Sequence, residues 1–119
     1  MTSGPLPTSP VPLEISVQEA QRQLAESGAR IRLIDVRDDE EFAFNRLPGA
    51  QQIALSVFAQ EAPAKLADKD ASILVYCHHG MRSLRAVHHL RERGYSKATS
   101  IAGGIDQWSA EIDATIPRY

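Results

Sequence analysis

The 119 residues carry a formal net charge of −2, with 43% hydrophobic and 24% charged residues. This is the make-up of one globular domain able to bury its own core, and no basic block gives it the electrostatic footprint of a nucleic-acid binder. A single cysteine excludes an intramolecular disulfide and suits a reducing compartment, so a cytoplasmic location is expected.

The opening "MTSGPLPTSPVP" is rich in Pro, Ser and Thr and reads as a flexible lead over residues 1–12. It lacks the apolar run and preceding positive charge of a signal peptide. The longest strongly apolar run, Ile73 to Cys77, is too short to cross a bilayer, so no membrane partner is expected. The folded domain is expected over 13–119. Ser16, with Glu19 three residues on, has the spacing of a capping box, and Gly28 is placed to end the helix it opens. "IRLIDVR" (31–37) reads as a buried strand. "DDEEFAF" (38–44) puts acids in a first helical turn, where they suit the positive end of the dipole, and the run Asp38 to Glu41 is expected to be solvated.

"LPGA" turns the chain, "QQIAL" reads as a short strand, and "SVFAQEAPAKLADKD" as a helix interrupted at Pro63. "ASILVYC" is the clearest strand. "SLRAVHHLRER" is a helix with Ser83, Ala86, Val87 and Leu90 on one face, closed by Gly94. "ATSIAGG" gives a last strand, and "IDQWSAEI" a last helix anchored by Trp108. The alternation predicts an α/β domain whose mostly parallel sheet of about five short strands carries helices on both faces. Its crossovers should be right-handed.

In an open α/β sheet, ligands bind beyond the carboxyl ends of the strands. Cys77 ends the "SILVYC" strand, Ser83 begins the next helix, and "HHGMR" (78–82) forms the loop between them. So short a loop turns backbone N–H groups inward, and the following helix adds its own unpaired amides. Gly80 permits the left-handed backbone such a curl needs. A free cysteine is only a few per cent thiolate at neutral pH; amide donors and a nearby cation, Arg82, would hold negative charge on the sulfur. Position alone is equally compatible with a small core residue. The pattern C-x-x-G-x-R-S favours the nucleophile, because a filler needs neither a nest of amides nor a cation, and it requires a sulfur that is held, ionised and reachable.

From about Leu13 onward the chain resembles the rhodanese-like sulfurtransferase family. "LIDVRDDEEF" (33–42) is similar to its first signature, an Asp-x-Arg ending a strand before an acidic helix start. "RLPGA" (46–50) resembles its His-Ile-Pro-Gly-Ala turn, departing at Arg46 and Leu47. "YCHHGMRS" (76–83) matches the active-site loop, and Ala86, Leu90, Gly94 and "GG-x-x-x-W" (103–108) the closing pattern. The resemblance implies a catalytic Cys77 that takes a sulfane sulfur from a small anionic donor such as thiosulfate. It would then pass that sulfur to a thiol, to cyanide or to an acceptor protein. His78, His79, Gly80, Met81 and Arg82 would form the substrate-binding loop, with Asp35, Arg37 and Ser83 in support. Arg82 would either neutralise donor charge or brace the loop. No cofactor is implied. Some thiosulfate-using relatives place a cation directly after the cysteine, where this chain has His78, which weakens the case for a thiosulfate preference.

Other readings fare less well. The related phosphatase and arsenate-reductase loop is Cys-x5-Arg, whereas four residues separate Cys77 from Arg82. A non-catalytic interaction module has no use for the retained cysteine, while a persulfide relay to a partner would use the same chemistry. Cys77, His78, His79, His88 and His89 are close in sequence, but a metal needs converging ligands, and no metal is expected. In that reading His88 grazes the buried helix face and His89 is solvated. Asp35 with Arg37 reads as an ion pair or hydrogen bond that fixes the first helix.

Overall fold

A computed structural model describes residues 11–119. The lead expected over 1–12 therefore falls, for 1–10, outside the described residues. The carbonyls of Val11 and Pro12 accept hydrogen bonds from Arg91 (2.7 and 3.0 Å).

In chain order the elements are β1 (Glu14–Ile15), α1 (Val17–Ser27), β2 (Ile31–Asp35), α2 (Asp39–Phe44), β3 (Gln51–Gln52), α3 (Phe58–Lys65), β4 (Ser72–Tyr76), α4 (Met81–Glu92), β5 (Ala98–Ile101) and α5 (Gly104–Glu111). The five strands form one sheet in the order β1-β5-β4-β2-β3, and every pairing is parallel. The expected α/β architecture is what the chain adopts.

Side-chain parity along the central strand decides which helix covers which face. Ile73 and Val75 point into one cluster with Phe58 and Ala62 of α3 and Ala86, Val87 and Leu90 of α4. Leu74 and Tyr76 point into the other, with Val17 and Ala20 of α1 and Ile105 and Trp108 of α5. Trp108 anchors the last helix as expected.

Several local expectations are corrected. Ser16 caps α1 by accepting the Glu19 amide (3.1 Å), but Glu19 does not return the bond; its carboxylate takes Arg22 and Gln23 (2.9 Å each). Gly28 follows α1 with right-handed backbone, and the chain continues through a 3-10 turn, Gly28–Arg30. Pro63 does not interrupt α3, which runs on to Lys65 because buried Phe58 and Ala62 hold it against the sheet. The "QQIAL" strand shortens to two residues.

Gly94 closes α4 as expected. Its N–H bonds the Arg91 carbonyl (3.2 Å), and the Tyr95 N–H reaches Leu90 (3.1 Å), the paired bonds of a Schellman motif. At φ 94° a side chain is strained, although an added Cβ would meet only the end of Lys69 at 3.7 Å. Gly94→Ala should therefore cost about 1–2 kcal/mol, read as a lower midpoint in urea unfolding with an unchanged slope; an unaltered midpoint would show that the left-handed turn is not needed.

Candidate active site

β4 ends at Tyr76 and α4 begins at Met81, so the loop is shorter than expected. Cys77, His78, His79 and Gly80 make the turn, while Met81 and Arg82 belong to the first helical turn. Leu84 makes the first backbone bond of α4, to the Gly80 carbonyl (3.1 Å), leaving the amides of Met81, Arg82 and Ser83 without intrahelical acceptors. Gly80 is left-handed at φ 111°, as expected, and its N–H points at Cys77 Sγ (3.0 Å). The thiol lies 3.5 Å from Ser83 Oγ. Ser83 Oγ in turn donates to the Gly80 carbonyl (3.1 Å) and meets Ser100 Oγ (2.7 Å).

The far wall of the loop is α5. Its Ile105 and Asp106 amides donate to the carbonyls of Cys77 (2.9 Å) and His78 (3.1 Å). Across trans peptides the following N–H groups, those of His78 and His79, point the opposite way, away from α5. This approach is possible only at glycine: a Cβ on Gly104 (φ 61°) would sit 2.3 Å from the Cys77 carbonyl oxygen and 2.4 Å from that of His78.

Cys77 itself is 1% exposed and lies in the cluster with Val75, Ala86 and Val87. The requirement that the sulfur be reachable is thus not met by an open thiol. One amide and one hydroxyl attend the sulfur, and apolar side chains close the remainder.

Arg82 is spoken for. Its two Nη atoms bind the Glu41 carboxylate at 2.7 and 2.9 Å, a bidentate fork. Glu41 also accepts from the Asp38 amide (3.1 Å) and the Tyr119 hydroxyl (2.7 Å). The acidic run is therefore not uniformly solvated. Arg82 above all holds the Glu41 carboxyl far below the usual carboxylate range, at about 2. Tyr119 Oη also accepts from Arg37 (2.8 Å), and its ring stacks on His78 (centroids 3.8 Å, 7°). Burial, followed by the Glu41 carboxylate, pushes the phenol up to about 12, so it keeps its proton.

Asp35 and Arg37 form a fully buried pair (2.7 Å). Arg37 also donates to the Asn45 side chain and carbonyl (2.7 Å each), so the pair fixes the end of α2. The rings of His78 and His79 lie 3.8 Å apart between centroids, tilted by 30°, and His79 Nε2 is 3.7 Å from Asp106. Burial, then His79, lowers the His78 pKa. The ligand-type atoms of His78, His79 and Asp106 fall within 4.8 Å of one another, whereas Cys77, His88 and His89 do not join them. Asp106, however, already holds Arg118 (3.0 and 3.1 Å). His88 is exposed, while His89 meets the Phe58 ring edge-on (5.8 Å); the expected order of the two is reversed because His89 lies one turn after buried Ala86.

The sequence reading missed Glu41, Asp106 and Tyr119 as parts of the site, and saw Gly104 only within the closing pattern. Glu41 stands three residues after Asp38, a capping-box spacing that was the available signal. Nothing in the sequence pointed Tyr119 toward the loop.

An all-parallel α/β domain with one cysteine in the turn beyond its central strand defines the class. A family model described as Rhodanese-like domain matches residues 16–111, and the chain belongs to that family. It is 36% identical over 96 residues to thiosulfate sulfurtransferase GlpE of Pseudomonas aeruginosa, covering 81% of this chain and 84% of the relative. Adenylyltransferase and sulfurtransferase MOCS3-1 of Zea mays is 33% identical over 103 residues, covering 82% of this chain but 22% of the relative. The chain thus spans about a fifth of that relative's length. The human single-domain sulfurtransferase TSTD1 superposes with a TM-score of 0.72 at 30% identity, covering 87% of this chain and 97% of that one. Among the described residues, no helix is long and apolar enough to cross a membrane.

Two outcomes follow. Gly104→Ala should lose stability, about 1–3 kcal/mol from backbone strain alone, and should also change the Cys77 alkylation rate, because the loop carbonyls lose their amides; a variant unaltered in both would refute the clamp. Since the folded pKa of Glu41 lies below its ordinary 4.5, its stabilisation is complete above that pH and is lost as pH falls toward about 2. Glu41→Gln should flatten the acid-unfolding curve in that window, and a curve parallel to wild type would show that the pairing contributes nothing.

Proposed function

We propose that this domain is a sulfurtransferase in which Cys77 carries the transferred sulfur as a persulfide. The observation that supports it most is the Gly80 N–H, 3.0 Å from the sulfur of the only cysteine. The thiolate attacks the outer sulfur of a donor, the donor's S–S bond breaks, and the leaving group departs with the electron pair. With thiosulfate, thiolate plus S–SO3 dianion gives Cys77–S–S⁻ plus sulfite. A thiol, cyanide or a protein thiolate then attacks the outer sulfur and regenerates the Cys77 thiolate, which splits one transfer into two steps. The Gly80 amide and the free amides of the first turn of α4 stabilise the negative persulfide. His78, His79, Gly80 and Met81 line the loop, Ser83 steadies the sulfur, and Arg82, Asp35 and Arg37 brace the turn. With Cys77 1% exposed, donor binding has to part the loop around the sulfur. A lone thiol stays reduced in the cytoplasm, where we place the protein.

A second reading, relay to an acceptor protein, is favoured by Met81, which is 75% exposed where α4 leaves the loop. The relative named adenylyltransferase and sulfurtransferase carries its matching segment within a longer chain, in keeping with transfer to a partner.

Intact mass spectrometry tests the proposal. Incubation with a sulfane donor should add one sulfur atom to the wild type, removable by cyanide. Cys77→Ser should take up none while melting as a folded domain. Loading of the serine variant, or no loading of wild type by any sulfane donor, would end it. Faster discharge to a protein thiol than to cyanide would identify the relay.

A further inference from the structure

Three arginines near the loop, Arg82, Arg37 and Arg118, are already matched. Both Nη atoms of Arg82 are bound to Glu41. Arg37 is buried against Asp35, and Arg118 binds both oxygens of Asp106. His79 also faces Asp106. His78, whose ring is partly buried between His79 and Tyr119, has a buried Nε2 without a hydrogen-bond partner. That atom offers a hydrogen bond, not a charge. On the α2 side, Asp38, Asp39, Glu40 and Glu41 line one notch together with Ala54 and Ser56. What remains for a donor is the set of backbone amides, which suit a single negative charge. A second charge meets carboxylates whose cation partners Arg82 and Arg118 are already engaged, and like charges repel more strongly at the edge of a protein than in bulk water.

Resting on the sulfurtransferase reading above, we propose that Glu41 sets the charge class of the sulfur donor. By occupying Arg82 it favours sulfane donors with one negative charge or none, such as hydropersulfides and thiosulfonates, over dianions such as thiosulfate. A hydropersulfide R–S–SH gives Cys77–S–SH and RS⁻, and methanethiosulfonate gives Cys77–S–S⁻ and methanesulfinate; neither step needs an oxidant or reductant.

Thiosulfate and methanethiosulfonate make a matched pair of probes, one oxyanion being replaced by a methyl group. The readout is the second-order rate of sulfur loading on Cys77, followed by mass in single turnover, for each probe. Glu41→Gln keeps a side-chain acceptor for Arg82 but removes the charge. The ratio of methanethiosulfonate to thiosulfate rates should fall roughly tenfold in this variant, equal to about 1.4 kcal/mol. In wild type, raising ionic strength from about 0.02 to about 0.3 M should speed thiosulfate loading more than methanethiosulfonate loading, because screening weakens the repulsion. An unchanged ratio in folded Glu41→Gln overturns the inference. Should that variant fail to fold, the wild-type salt series decides, and equal salt responses of the two probes overturn it. Failure of wild type to load from either probe or from a hydropersulfide removes the sulfurtransferase reading itself, an outcome distinct from loading by both probes at a ratio that Glu41 does not control.

Discussion

The orientation of the peptide groups that follow Cys77 is the constraint on which the site depends. Two carbonyls are drawn toward the amino end of α5 by the amides of Ile105 and Asp106, so the N–H groups behind them face the other way. Gly104 makes the approach possible by lacking a side chain. Gly80 interlocks with the same corner, since a Cβ there would lie 3.2 Å from the Gly103 nitrogen. Two turns far apart in sequence thus form one object. In an α/β domain the carboxyl edge of the sheet gathers such turns, and here backbone hydrogen bonds join two of them directly.

A second framework surrounds the first and is built from charge. Arg37 is buried with Asp35, and its remaining donors reach Asn45 and Tyr119. A buried ion pair is weak evidence for net stability, because desolvation offsets the attraction. What the pair does here is fix geometry: Asn45 holds the Pro117 carbonyl (2.6 Å), which ties residues 116–119 across the edge of the sheet. From Arg37 the contacts run through Tyr119 to Glu41 and on to Arg82 at the first turn of α4. Cations and carboxylates alternate along that path, so little net positive charge is left for a ligand.

The sequence made legible what depends on local pattern. Alternation of β-branched runs with amphipathic segments marked four of the five strands and the five helices, and the run ending at Cys77 stood out as the clearest strand; the two-residue β1 and the central place of β4 were not marked. Gly94 was legible because a helix stop needs a left-handed residue at a fixed offset. What escaped depends on contacts between distant segments. Gly103 and Gly104 were visible as a family motif, but the reason for a glycine at 104 is a backbone more than twenty positions earlier in the chain. Leu47 was noted only as a departure, yet it is buried and its amide bonds the Tyr76 hydroxyl (3.1 Å). Arg82 stood open between ligand and brace because its partner, Glu41, lies in another helix. Tyr119 carries no pattern of its own and gains its place only through the fold.

The two readings of Cys77 can now be weighed on the same geometry. Parity along β4 sends it to the side of Ile73 and Val75, and its 1% exposure is what a core residue would show. An apolar filler, however, would leave the buried Gly80 N–H without an acceptor, at a cost of about 1–3 kcal/mol. A neutral thiol is a weak acceptor; a sulfur bearing charge is a good one, since hydrogen bonds to ions are shorter and stronger. The bend that aims Gly80 at the sulfur also needs a left-handed glycine and a serine hydroxyl on the Gly80 carbonyl. A packing role asks for none of these, whereas the persulfide carrier proposed above would use all of them.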